Sequence, residues 1–195
     1  MRETGIQAIK EVPWGTHLCS FYRRKEELLD LVSAFIKTGL EQNEYCLWVT
    51  SFPLTVDAAM DSLTKIVPDA DIFVKKGQLE IIKFGNFYLS SDVFEPEKVL
   101  ERSSEKLLFA FKRGFEGMRI TGDCSWVQKK DQKKLLAYES MVSKVISGQK
   151  VIALCTYPLD YVGLAGVLSV GIRHQNAIVK HEGAWVAVDP ATFSL

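Results

Sequence analysis

The sequence predicts a three-layer α/β domain built on a mainly parallel sheet. The stretch from Thr16 to Ser51 reads as strand, amphipathic helix, strand, which is one βαβ unit. The alternation recurs along the chain until five strand-like runs with short connections are in hand, and such units cross over right-handed. The runs are also apolar with little alternation, as parallel strands covered on both faces should be.

Residues 1–15 carry Pro13 and Gly15 without a clear period and read as a lead-in segment. The first strand follows at about 17–21. A helix over about 25–42 places Leu28, Val32, Phe35, Ile36 and Gly39 on one face. The second strand, about 45–50, stops at Ser51-Phe52-Pro53, and a modest helix over about 55–66 is closed by Pro68. The third strand, about 79–84, follows a turn at Lys75-Lys76-Gly77. Residues 87–95 have no clear period and read as a loop crossing the sheet edge. Pro96, favoured in a first helical turn, opens a helix to about Arg113. The fourth strand, about 118–121, stops at Gly122-Asp123-Cys124-Ser125-Trp126. Asp131 can cap a helix whose apolar line is Leu135, Tyr138, Val142, Val145 and Ile146, closed by Gly148. The fifth strand, about 151–156, is broken by Tyr157-Pro158. A short helix then runs from about Asp160 to Val170, and runs at 177–180 and 184–188 flank Glu182-Gly183 as a hairpin.

Length suits a single domain over 1–195, with 1–15 as lead-in and 172–195 as C-terminal hairpin and tail. The 24 basic and 24 acidic residues give no net attraction to nucleic acid or to an anionic membrane surface. No run approaches the roughly 20 apolar residues of a bilayer span, and the N-terminus lacks a signal-peptide core, so a cytoplasmic location is expected. The four cysteines lack C-x-x-C spacing and read as reduced, buried thiols.

The turn after the first strand reads Phe21-Tyr22-Arg23-Arg24-Lys25-Glu26-Glu27, without the glycines that a phosphate-binding loop needs for close backbone approach. The spacing of Gly166 and Gly171 is loosely similar, but Ile172-Arg173 stands where Lys-Ser/Thr is required, so packing glycines are the better account.

The pattern His17-x-Cys19-x-Phe21-Tyr22, the acidic helix start, Gly39-Leu40 and the strand Cys46 to Val49 together resemble the MEDS family, the methanogen/methylotroph DcmR sensory domains. Thr121-Gly122-Asp123-x-x-Trp126 and Cys155-x-Tyr157-x-Leu159-Asp160 carry the same resemblance, which spans about residues 14–171. It implies a RecA-like fold of the P-loop ATPase type with a degenerate P-loop, and strand order 5-1-4-3-2. It further implies a non-enzymatic, small-molecule sensory domain of an archaeal or bacterial regulator, acting in signal transduction or transcription regulation, with small hydrocarbon derivatives as ligands. No helix-turn-helix or kinase segment is recognisable, so the output is expected in a regulatory partner such as a kinase or transcription factor. A homodimer fits the same reading. Two alternatives stay open: an ATPase or phosphotransfer relative, and a scaffold or dimerisation module.

In open α/β sheets ligands bind at the carboxyl ends of the strands. The residues there are Tyr22, Arg23, Ser51, Phe52, Asp123, Trp126, Thr156 and Tyr157, and they form the candidate ligand site. Tyr22, Asp123, Trp126 and Tyr157 are expected at one mouth, for an apolar or methylated metabolite. The competing account is that these aromatics cap the core. His17, Cys19 and Phe21 alternate and so share a face of the first strand. Under the implied order, Cys155 and Cys124 flank Cys19. His17, Cys19, Cys124 and Cys155 are thus weak candidates for a soft metal or a redox centre, against the plainer reading of core packing. No cofactor and no metal are expected.

Overall fold

A computed structural model describes residues 1–190, apart from the side chains of Tyr161 and Leu164. The chain opens with a hairpin of β1 (Arg2–Ile6) and β2 (Ile9–Val12), followed by β3 (Thr16–Tyr22), α1 (Lys25–Glu41) and β4 (Tyr45–Thr50). Next come α2 (Val56–Thr64), α3 (Ala70–Lys75), β5 (Leu79–Lys83) and α4 (Phe84–Tyr88). A small hairpin of β6 (Leu89–Ser90) and β7 (Val93–Phe94) leads into α5 (Pro96–Lys112) and β8 (Met118–Asp123). A 3-10 turn at Lys129–Asp131 precedes α6 (Gln132–Ile146), β9 (Val151–Pro158), α7 (Leu159–Gly171), β10 (Asn176–His181) and β11 (Ala184–Val188).

Seven strands form one sheet in the order β11-β10-β3-β9-β8-β4-β5, parallel except for β11. β3 and β4 are buried at every residue, which explains their unbroken apolar runs. On one face Leu18, Cys46, Trp48, Ile152 and Leu154 pack under α1, α2 and α3. On the other, Cys19, Leu47, Val49, Ala153, Cys155 and Tyr157 pack under α4 to α7. The expected C-terminal hairpin is present as β10 and β11, turning through Glu182 and Gly183 at positive φ (48° and 83°), the geometry that a two-residue hairpin loop demands. The tail beyond residue 190 lies outside the described residues.

The strand order corrects the expectation. The five βα strands run 1-5-4-2-3 rather than 5-1-4-3-2: β9, not β3, is the strand beside β8 on one side, and β4, not β5, is the strand beside it on the other. An apolar run shows that a strand is covered on both faces but carries no mark of which strand lies beside it. Cys155 therefore sits in register beside Cys19 on β3, whereas Cys124 follows β8, one strand further away, and the two do not flank Cys19.

Residues 1–15 are more ordered than a lead-in. Arg119 of β8, wholly buried, donates from Nε to Glu44 Oε2 at 2.6 Å, and its terminal nitrogens donate to the carbonyls of Phe35 (3.0 Å), Thr4 (3.2 Å) and Glu3 (2.8 Å). One guanidinium thus ties the N-terminal hairpin to α1 and the sheet, and Arg2 Nε adds a bond to Glu44 Oε1 at 2.9 Å. Gly5 permits the close docking: its φ is +77°, and a Cβ there would strike Thr38 Oγ1 and the Ala34 carbonyl. Residues 87–95, expected as a loop, end α4 and form the β6–β7 hairpin: Phe87 and Tyr88 enter the core from the end of α4, and Phe94 enters it from β7.

Candidate functional site

Side chains alternate across a strand, so the carboxyl edge of the sheet presents two separate surfaces. On the α1 side, Tyr22 from the end of β3 donates its hydroxyl to Asp123 Oδ2 at 2.5 Å, and Thr156 Oγ1 reaches the same oxygen at 3.3 Å. Asp123 Oδ1 accepts from the Ser125 amide (2.9 Å) and hydroxyl, and Ser125 Oγ also contacts Ser51 Oγ (3.0 Å) and the Phe52 carbonyl (2.8 Å). Burial pushes the Asp123 carboxyl above its ordinary pKa, against the opposing pull of the Ser125 and Tyr22 bonds. Burial and the Asp123 carboxylate likewise push the Tyr22 hydroxyl far up. These groups satisfy one another, closing the β3, β4, β8 and β9 ends into a polar lock.

The start of α1 is closed in the same way. The amides of Arg23 and Arg24 both donate to Glu27 Oε2, at 3.0 and 3.3 Å. Both amides lie just before the first residue of α1, so a carboxylate of that helix already sits at the N-terminus where a phosphate would bind. The Arg23 side chain is exposed and the Phe52 ring is 84% exposed.

On the opposite side, Tyr157 pairs in register with Phe21 and lies under α6 and α7. A cleft of about 300 Å³ opens there, lined chiefly by apolar side chains, among them Cys124, Val127, Leu135, Tyr157 and Val162. That volume is at the lower end of the roughly 300–1,000 Å³ typical of ligand pockets. Gly163, at φ 60°, kinks α7 along the cleft wall.

Beneath the cleft lies a buried polar cluster. Tyr157 donates its hydroxyl to Glu139 Oε1 at 2.7 Å. Glu139 Oε2 is 3.3 Å from Nε2 of both His17 and His174, and His17 Nε2 is 3.3 Å from Cys155 Sγ. The His17 and His174 rings lie 4.0 Å apart. Burial, with His174 nearby, lowers His17 to about 4. Burial also works against a charge on His174, but Cys19 and Glu139 override it and hold that imidazole at about 10. The Glu139 carboxyl is lowered despite its burial by the two imidazoles, and burial pushes the Cys155 thiol well up.

The sequence-predicted residues therefore divide. Tyr22, Ser51, Asp123 and Thr156 come together in the polar lock, while Tyr157 faces the other side of the sheet. The single mouth expected for Tyr22, Asp123, Trp126 and Tyr157 is corrected accordingly: Tyr22 and Tyr157 are neighbours in register space but of opposite parity. Trp126 stacks on Phe84 (5.6 Å, 13°) and meets Tyr88 and Phe94, which makes it part of an aromatic cluster. Of the weak metal candidates, His17 and Cys155 converge, and Cys19 lies beside them. Glu139 and His174 were missed. A glutamate inside the apolar line Leu135, Tyr138, Val142 was the available signal, since a buried charge needs partners.

The family model for MEDS, the MEthanogen/methylotroph, DcmR Sensory domain, matches residues 16–175. The chain belongs to the MEDS family. It is 21% identical over 169 residues to the transcriptional repressor DcmR of Methylorubrum extorquens (strain DSM 6343 / CIP 106787 / DM4), a match that takes in 85% of this chain and 60% of the repressor. The MEDS chain thus spans less than two thirds of that relative's length. Among solved structures, a KaiC-like protein of Pyrococcus horikoshii OT3 superposes with a TM-score of 0.60 at 14% identity, over 91% of this chain and 78% of that one. This likeness is one of fold, and it agrees with the RecA-like architecture expected of a MEDS domain. Among the described residues no helix is long and apolar enough to cross a membrane.

Proposed function

We propose that the chain is a non-enzymatic sensory domain that binds a small, largely apolar or methylated metabolite in the α6–α7 cleft and passes the signal to a regulatory protein. The observation that carries this reading is the cleft itself: an apolar hollow of about 300 Å³ at the carboxyl end of β9, with the Tyr157 and Cys124 side chains on its wall. Apolar walls would hold such a ligand by area and dispersion, and the few polar groups would orient it. Membership of a sensory family and the likeness to a transcriptional repressor support a regulatory output through a kinase or transcription factor.

A phosphotransfer role is disfavoured by the Glu27 carboxylate, which holds the Arg23 and Arg24 amides just before α1 and sets a negative charge where a phosphate would bind. The test is a panel of small apolar compounds, methylated amines and methylated thiols titrated against thermal stability. A ligand at about 100 times its dissociation constant should add about 2.7 kcal/mol. A panel without effect would favour a scaffold or dimerisation module.

A further inference from the structure

His17, Glu139, Cys155 and His174 each bring one donor atom to the buried cluster, and these four atoms lie within 4.8 Å of one another. Three of the separations, Glu139 to each imidazole and His17 to Cys155, are 3.3 Å. Ligand atoms around a tetrahedral zinc ion, with bonds of about 2.0 to 2.3 Å, are separated by roughly 3.3 to 3.7 Å.

The outer edges of both imidazoles fix which nitrogen faces inward. His174 Nδ1 lies 2.9 Å from the Val170 carbonyl, which only accepts, so Nδ1 carries the proton. His17 Nδ1 lies 2.8 Å from Ser143 Oγ, whose own hydrogen goes to the Arg173 carbonyl at 2.8 Å, so this Nδ1 also donates. In the neutral form of each imidazole, Nε2 therefore turns a lone pair toward Glu139 Oε2. That oxygen and His174 Nε2 are buried without a hydrogen-bond partner among the described residues. A proton on His174 could serve only one of the contacts to Oε2, whereas a cation at the centre would serve all four donors.

We propose that His17, Glu139, Cys155 and His174 bind one zinc-type divalent transition-metal ion. Two neutral imidazoles, one carboxylate and one thiolate suit a borderline-soft metal, and the two negative charges neutralise it, so the buried complex carries no net charge. Binding releases two protons to solvent, that of the Cys155 thiol and the one on His174 Nε2. The Ser143, Val170 and Tyr157 contacts supply the outer hydrogen bonds that orient metal ligands. With four protein donors the site is closed, which is the structural rather than the catalytic form. It joins β3, α6, β9 and the segment after α7 directly beneath the cleft. The assignment does not depend on what the cleft binds.

The test uses the full chain without a histidine tag, grown with added zinc, for metal analysis, and the metal-stripped chain titrated with cobalt(II). One equivalent of metal per chain is expected. Cobalt should produce a thiolate charge-transfer band that zinc abolishes. Cys155→Ser should remove the band, and Ser143→Ala should keep it with roughly 10- to 100-fold weaker affinity. Cys46→Ser, a buried thiol on the other face of the sheet, should leave it unchanged. Absence of both stoichiometric metal and a cobalt band in the wild-type chain would overturn the proposal, as would a band that survives Cys155→Ser. If Cys155→Ser does not fold, the wild-type spectrum and the Ser143→Ala titration decide.

Discussion

Tyr157 and Glu139 are joined by a 2.7 Å hydrogen bond that links the wall of the α6–α7 cleft to the polar cluster beneath it. Tyr157→Phe keeps the ring and removes the hydroxyl, which leaves Glu139 Oε1 buried without its donor. Stripping one partner from a buried acceptor costs about 1–3 kcal/mol. Urea unfolding should register that loss with an unchanged m-value. A loss near zero would mean that the bond carries no weight.

Arg119 should be the most sensitive charged residue in the chain. Arg119→Met leaves Glu44 buried with Arg2 as its one cationic partner among the described residues and strips donors from the Glu3, Thr4 and Phe35 carbonyls. Breaking a buried ion pair costs about 3–5 kcal/mol. The double variant Arg119→Met/Glu44→Gln should cost less than the two single changes added together. Proteolysis should first cut the freed hairpin at residues 1–12. An intact hairpin would show that Arg119 does not hold it.

Burial raises the Glu27 carboxyl, but the Arg23 and Arg24 amides and the Arg24 side chain outweigh this and lower its pKa below the ordinary 4.5. A carboxyl depressed in the folded state stabilises the fold fully above its unfolded value and loses that contribution as pH falls through the folded one. Glu27→Gln should therefore cost about 1 kcal/mol at neutral pH, a typical value for a helix cap, and nothing at the acid end. A pH-independent difference would contradict the assignment.

The same carboxylate bears on ATP. With Tyr22 tied to Asp123 and the Arg23 and Arg24 amides tied to Glu27, the chain should release no phosphate from ATP above the buffer rate. Malachite-green assays check this. Turnover lost on Arg24→Ala would restore the phosphotransfer reading.

The alternation of strands and helices was legible because both periods lie in local sequence. β3, β4, β5, β8 and β9 fall where apolar runs predicted them, although β8 and β9 continue two residues beyond the expected stops. Strand order was not legible, because an all-apolar strand such as β9 accepts any apolar neighbour on either side. The N-terminal hairpin was hidden for another reason. It buries only Ile6 and Val12 as apolar side chains, and its anchor, Arg119, lies more than 100 positions away. The strand-end rule gathered Tyr22, Ser51, Asp123 and Thr156, which come together as the polar lock. It ignored parity, which sends Tyr157 to the opposite face. His174 escaped notice because it lies between α7 and β10, where no periodic pattern marks a residue as buried.

Parallel thermal-shift titrations of the wild-type chain, Ala165→Phe and Asp123→Asn with the metabolite panel test the α6–α7 cleft as the ligand site most directly. Ala165 lines the cleft and is exposed, so a larger ring there fills the hollow without disturbing the core. Asp123 belongs to the polar lock on the other face. The ligand-induced shift should be present in the wild type, lost in Ala165→Phe and retained in Asp123→Asn. A shift that survives Ala165→Phe but disappears in Asp123→Asn would contradict the cleft and place recognition at the Tyr22–Asp123 edge.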